Sequence, residues 1–448
     1  MMTPMNLAVP QDSNVQLVLD VLPALLVILV ASILCGKLAV RWGQPRVVGE
    51  MVAGITLGPT LFGRLLPDAQ QSLFTPSVKP VLYVLSTIGL TLFMFLVGLG
   101  LDHEKAPPGH QKTAAILALS SMVPAILLGC GVGLLFHEEL SRTDVSPGMF
   151  ALFVGGALAV TAFPMLARML YDNGLERSRL GVLALLAAAV DDAVAWCFLA
   201  FLVAFHGDGG LFESVRVVVL SAVFAVFVMT VGRRLLRKLG EKVRSRGDLT
   251  SGQFHLILMI VLAAGWFTEE IGVYAVFGGF VVGLAMPHEP AFQKAVQRRL
   301  LDTVQGLLVP VFFAFSGLNT QIGGLTGAGT LLPLCALLFA AFVGKYSGCV
   351  AVMRARGFSW REGSALGSLM NARGLMILIF VNVGLAEGII NEKTFSLLVV
   401  VAVVTSASSM PLFKLSLGRH NAPPPTDRYE KSGRVTVTDA AEAGVVER

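Results

Sequence analysis

Charge is scarce in this sequence. Only 14% of its 448 residues are Asp, Glu, Lys or Arg, where a soluble chain carries roughly 25%. With 55% hydrophobic residues and a mean hydropathy of +0.74, that shortage excludes a soluble enzyme, a disordered protein and a nucleic-acid-binding protein. Cysteine is scarce too. The five thiols (Cys35, Cys130, Cys197, Cys335, Cys349) all lie in apolar runs with no C-x-x-C pair, so they read as buried small hydrophobes and not as disulfides or metal ligands. The first apolar run lacks a basic flank and is long enough to span a bilayer. No cleavable signal peptide is therefore expected.

What is abundant is long apolar segments. A membrane-crossing helix needs about 20 mostly apolar residues. Thirteen such segments are expected, near 16–36, 47–66, 81–101, 114–136, 148–170, 180–206, 213–234, 252–270, 272–287, 304–320, 331–353, 362–386 and 394–416. The second and ninth are short, and several are broken by Gly or Pro. Residues 1–15 read as an external segment, and 417–448, with an Ala-Pro-Pro-Pro run, as a disordered cytoplasmic tail. That tail is too short for a nucleotide-binding regulatory domain. Gly323–Gly329 is Gly-rich but follows no strand, so it is not expected to cradle phosphate.

The basic residues test the span count. With thirteen spans, 27 of the 34 Lys and Arg fall on one side, five fall on the other, and Lys345 and Arg373 lie within spans. Positive charge collects on the cytoplasmic side of membrane proteins. The split puts the N-terminus outside and the C-terminus in the cytoplasm, and it accounts for a pI near 9.0 without any nucleic acid. The most basic stretch, 233–246, is expected at the inner membrane face, where it can touch anionic lipid.

Ionisable groups deep in spans are costly and mark function. Asp191 and Asp192 sit mid-way along the sixth span, Lys345 in the eleventh and Arg373 in the twelfth. Neighbouring residues on a helix point roughly 100° apart, so the two carboxylates face different surroundings. A buried carboxylate can hold either a proton or a small cation, and competition for one such site is the physical core of proton-coupled exchange. Lys345, flanked by Gly344 and Gly348 that admit a close helix, is expected to pair with Asp191 or Asp192. Arg373 is expected to counter a half-helix C-terminus or to bind an acid structurally. Glu50, near the end of the second span, is either functional or a partner of Arg46.

Thr161-Ala-Phe-Pro164 interrupts the fifth span, and Asn371-Ala-Arg373-Gly374 interrupts the twelfth. These spans are seven apart, as are the short second and ninth. Interruptions at matching positions imply an inverted repeat, here spans 2–6 and 9–13, with a midplane site.

At these residues the sequence resembles the monovalent cation:proton antiporter-2 family, which includes bacterial Na+/H+ and K+/H+ antiporters and plant cation/H+ exchangers. The resemblance runs from about 17 to 416. It is carried by Val48-Gly49-Glu50 to Leu57-Gly58-Pro59, Val160 to Pro164 with Leu166-Ala167-Arg168, Ala187 to Trp196, Val309-Pro310 to Ser316-Gly317-Leu318, Gly344-Lys345 with Gly348, and Asn371 to Met376. The resemblance implies an all-α polytopic fold of about thirteen spans. In it, two broken helices cross in a core domain beside a dimerisation domain, and access alternates as the core moves. It implies Asp192 as the ion- and proton-binding carboxylate, Asp191 as the acid paired with Lys345, and Thr161 at the helix crossing, with Pro164, Asn371 and Arg373 in support.

Plant exchangers commonly carry Asn-Asp where this chain has Asp-Asp. In relatives, two acids plus the Lys accompany electrogenic exchange, which favours Na+ over K+, while the body of the sequence is similar to the plant K+ exchangers. A homodimer in the cell membrane is implied, with Na+ or K+ and H+ as the transported ions and no cofactor. Other readings are a cation channel of the same fold, a proton-coupled exporter of an organic cation, and a membrane hydrolase. Adjacent acids on one helix point apart, which argues against the hydrolase, and no enzyme activity is expected.

Overall fold

The structure is a computed structural model that describes residues 13–59, 61–100, 110–142, 144–175, 178–206, 210–246, 248–287, 289–318 and 328–417. The expected N-terminal segment, the C-terminal tail and most of Gly323–Gly329 lie outside the described residues. Among the described residues the structure is helical, and nine helices are long and apolar enough to cross a membrane.

Thirteen elements follow the expected order. They are α1 (Ser13–Arg41), α2 (Arg46–Leu57), α3 (Val78–Gly100), α4 (His110–Leu135), the broken pair α5a (Pro147–Ala159) and α5b (Phe163–Asp172), α6 (Arg179–His206), α7, α8 (Ser251–Glu270), α9 (Tyr274–Ala285), α10, α11 (Ala328–Ala355), the broken pair α12a (Trp360–Leu369) and α12b (Gly374–Ala386), and α13 (Glu392–Leu417). Two elements run past their expected ends. α7 continues from Gly210–Phe227 through a π turn at Val228–Gly232 into Arg233–Arg246, so the basic stretch is helical. α10 begins at Pro290–Thr303 and passes through a π turn at Val304–Leu308 into Val309–Leu318. Hydropathy marks only the apolar part of a helix, and both extensions are polar.

The elements pack as two groups. α1, α2, α3, α8, α9 and α10 form one, and α4, α5, α6, α11, α12 and α13 the other. The packing carries the repeat. α1 on α2 recurs as α8 on α9, α2 on α10 as α9 on α3, α4 on α5a as α11 on α12a, and α6 on α5b as α13 on α12b. α3 packs on α10 and α4 on α11, each element against its own counterpart. The repeat thus extends one span earlier in each half than the interruptions alone indicated, to α1 and α8. Both run as unbroken helices, α1 even through Pro23, so no interruption marks them.

Small residues set the contacts that sequence alone placed by guess. A Cβ on Gly348 would stand 2.1 Å from the Ser120 carbonyl oxygen, and one on Gly344 2.5 Å from the Ala125 Cα. α11 therefore meets α4 backbone to backbone, which brings Lys345 into the centre of its group. Gly54 of α2 lies equally close to the Phe313 carbonyl of α10, and Gly283 of α9 to the Phe95 carbonyl of α3. In an apolar solvent no hydrophobic force drives helices together, so close packing of this kind supplies the cohesion.

Candidate functional site: a buried carboxylate at two crossing half-helices

Both broken helices come apart for local reasons. α5a ends when Val160 turns extended, with ψ 137°, and Pro164 is the second residue of α5b, where its missing N–H costs nothing. In α12 the chain leaves helical bonding at 370–373 and re-enters at Gly374, whose φ of +24° a side chain disfavours. A Cβ there would also meet the Met165 Sδ of α5b at 2.3 Å.

Backbone groups freed in an apolar interior need partners. The two interruptions supply them for each other. The Ala162 N–H donates to the Ala372 carbonyl at 2.8 Å, and the Thr161 hydroxyl donates to the Met370 carbonyl at 3.0 Å. The Arg373 guanidinium donates to the Leu158 carbonyl at the C-terminal end of α5a and to the Ala341 carbonyl of α11. A cation there complements the negative end of the half-helix. This is the half-helix role of the two expected for Arg373. Asn371 donates from Nδ2 to the Gly367 carbonyl at 2.9 Å, closing the end of α12a.

The charged residues meet beside this crossing. Asp191, Asp192 and Lys345 are completely buried. The Lys345 ammonium donates to Asp191 Oδ2 and to the Thr161 hydroxyl, so it ties α11, α6 and the α5 interruption together. Of the two expected acid partners, Lys345 takes Asp191. Asp192, one residue on, faces elsewhere. Its carboxylate lies against the backbone N–H of Phe163, the first residue of α5b. Neither of its oxygens has a hydrogen-bond partner among the described residues. Glu50 bonds Arg46 at 3.0 Å one turn earlier in α2, the structural arrangement of the two weighed for it.

Two features escaped the sequence reading. Ser406 of α13 accepts from the N–H groups of Arg373 and Gly374 at 3.2 and 3.0 Å, capping α12b. Asn382 of α12b donates to Ser316 of α10 at 2.9 Å, across the seam between the two helix groups. Ser406 sits in Thr-Ser-Ala-Ser-Ser and Asn382 between valines. Uncharged polar residues in spans are common, so only the partners single these two out.

The comparisons with known proteins bear on the family and the fold. Residues 25–414 match the family described as sodium/hydrogen exchanger, transmembrane. The chain is 37% identical over 407 residues to a protein named Na(+)/H(+) antiporter NhaS4 from Synechocystis, covering 90% of this chain and 97% of that one. It is also 37% identical over 376 residues to Cation/H(+) antiporter 15 of Arabidopsis thaliana, covering 82% of this chain but 44% of the plant protein. The chain thus spans less than half the length of that plant relative. Its fold matches the structure of the sodium proton antiporter MjNhaP1 from Methanocaldococcus jannaschii with a TM-score of 0.66 at 16% identity, over 90% of this chain and 99% of that one. A family match over most of the sequence, a relative alike end to end and a shared fold lead to one assignment: the chain belongs to the transmembrane sodium/hydrogen exchanger family.

Proposed function

We propose that the protein is a secondary antiporter that exchanges a monovalent cation for protons at Asp192. The observation that carries this is a completely buried carboxylate with neither oxygen in a hydrogen bond among the described residues, where the two other buried acids, Asp191 and Glu50, are each paired with a cation. An isolated ionised carboxylate in a low-dielectric interior is too costly to persist. It must hold a proton or a cation, and whichever is bound excludes the other. The names of the Synechocystis and Arabidopsis relatives support cation/proton exchange.

Sodium is the favoured cation. The Asp-Asp pair with Lys345 supports it, as does the name of the Synechocystis relative. Transport proceeds by alternating access, with the group that holds the crossing moving against the group built on α1–α3 and α8–α10. The protein lies in the cell membrane with its N-terminus outside and acts as a homodimer. The basic end of α7 faces anionic lipid at the cytoplasmic surface. Neither an enzymatic reaction nor a bound cofactor enters this mechanism.

The test uses everted vesicles energised to pump protons inward, with Na+, K+ or Li+ added in turn while a dye follows the pH gradient. The expected result is collapse of the gradient by sodium in the wild type and not in Asp192→Asn. If correctly inserted wild-type protein responds to none of the three cations, exchange of these ions is refuted and an organic cation becomes the leading substrate.

A further inference from the structure

The repeat sets two half-helix N-termini in corresponding places. α5b begins at Phe163 and α12b at Gly374. Each start faces the helix that follows it in sequence, α6 for α5b and α13 for α12b. On α6 the facing side chain is Asp192, which the Phe163 N–H approaches although neither oxygen meets full hydrogen-bond geometry with any partner among the described residues. On α13 it is Ser406, also completely buried, whose oxygen accepts two N–H groups. Related positions thus carry different solutions: at one helix end a carboxylate that the Phe163 N–H approaches without full hydrogen-bond geometry, and at the other a neutral hydroxyl with two N–H donors.

We infer that Ser406 is a positioning residue for ion exchange. It closes the α12b end and fixes the α12 interruption against which the α5b end and Asp192 are aligned. This inference rests on the exchange reading above.

The connection is short and continuous. Ser406 holds the N–H groups of Arg373 and Gly374. The residue before them, Ala372, receives the Ala162 N–H at 2.8 Å, and Ala162 precedes Phe163, the residue that Asp192 faces. From Arg373 the side chain reaches back to the Leu158 carbonyl on α5a. Without the Ser406 oxygen, two N–H groups in an apolar interior lose their acceptor, and the backbone of the crossing is free to turn toward others. The carboxylate and the N–H it faces then lose their register. A hydroxyl suits this position because it accepts both N–H groups without adding a charge that would compete for a cation.

The test measures, in the same vesicles, the cation concentration for half-maximal response separately from the maximal rate. Wild type, Asp192→Asn, Ser406→Ala, Ser406→Thr and Ser409→Ala are compared. Ser409 is one turn on in α13, and its hydroxyl bonds only within its own helix, to the Thr405 carbonyl. Ser406→Ala is expected to raise the half-maximal concentration by about tenfold, the worth of roughly one lost hydrogen bond, with the maximal rate much less affected. Ser406→Thr is expected to restore the wild-type value, and Ser409→Ala to match wild type throughout.

A folded Ser406→Ala with wild-type half-maximal concentration overturns the inference. So does an equal rise in Ser406→Ala and Ser406→Thr, which would assign the effect to side-chain volume. If Ser406→Ala is not recovered folded, Ser406→Cys replaces it, keeping a similar size with a weak acceptor. Wild-type behaviour there overturns the inference as well. Failure of the wild type to respond to any cation refutes the exchange reading itself, a result separate from all of these.

Discussion

Asp191 and Asp192 are adjacent in the chain, and only one of them is paired. Asp191 bonds the Lys345 ammonium, while both oxygens of Asp192 are without a hydrogen-bond partner among the described residues. The roughly 100° between neighbouring helical positions turns one acid toward α11 and the other toward the start of α5b. One carboxylate is consumed by structure, and the other is the one proposed to take the transported ions.

The ion pair should be a stability element that is separable from the ion site. Lys345→Ala leaves Asp191 buried without its cation, and breaking one partner of a buried pair costs about 3–5 kcal/mol. Thermal unfolding in detergent is expected to show a large loss for Lys345→Ala. Much of it should return in the double variant Asp191→Asn with Lys345→Met, which removes both charges. Equal melting temperatures for single and double variants would show that the pair is not what holds α6 to α11.

Arg373 should resist conservative replacement. Its planar guanidinium reaches two carbonyls on different helices, a span that the single ammonium of a lysine does not reproduce. Arg373→Lys is therefore expected to lower stability by about 1–3 kcal/mol, the penalty for buried groups left without partners. Guest-free thermal melts check this. An unchanged melting temperature contradicts the role as a cap on α5a.

On the proposed exchange at Asp192, competition between proton and cation fixes the sign of the pH dependence. A proton occupies the carboxylate on the acid side and must leave before a cation binds. The half-maximal cation concentration should rise as pH falls, approaching about tenfold per pH unit where the site is mostly protonated. Titrating the response of wild-type vesicles over several pH values measures that slope. A half-maximal concentration that does not change across the acid range argues against a shared site.

The seam between the two helix groups should open during transport. Asn382 and Ser316 bridge it at 2.9 Å, and the Trp196 and Tyr274 rings meet across it with centroids 6.2 Å apart. Linking Asn382→Cys to Ser316→Cys with a short thiol reagent is expected to stop exchange, and reduction of a reducible linker to restore it. Full activity in the linked protein would mean that the groups do not move apart there.

Packing at Gly348 is tight enough to test with one methyl group. A Cβ there would come 2.1 Å from the Ser120 carbonyl, so Gly348→Ala must push α4 from α11. Overpacking of this kind costs typically 1–3 kcal/mol. The effect is read as a lower melting temperature together with weakened exchange, because Lys345 lies on the displaced helix.

Much of this was legible without coordinates, and the physics says which part. Apolar length, the placement of Lys and Arg, and the cost of charge in a bilayer act residue by residue. They yielded thirteen segments, the repeat through its interruptions, and Asp191, Asp192, Lys345 and Arg373 as a group apart, while Thr161 came from the interruption and the family resemblance. What those rules do not contain is direction and partner. That Lys345 takes Asp191 and leaves Asp192, that Arg373 serves the carbonyl end of α5a, and that Ser406 closes α12b all depend on how helices far apart in sequence rotate against one another. The same holds for the polar ends of α7 and α10, which hydropathy reads as loops. The sequence determined which side chains must enter the membrane, since burial there has a cost each residue bears alone. The tertiary structure decided which of them satisfy one another and which one is left without a hydrogen bond among the described residues, since a hydrogen bond exists only between groups that packing has brought together.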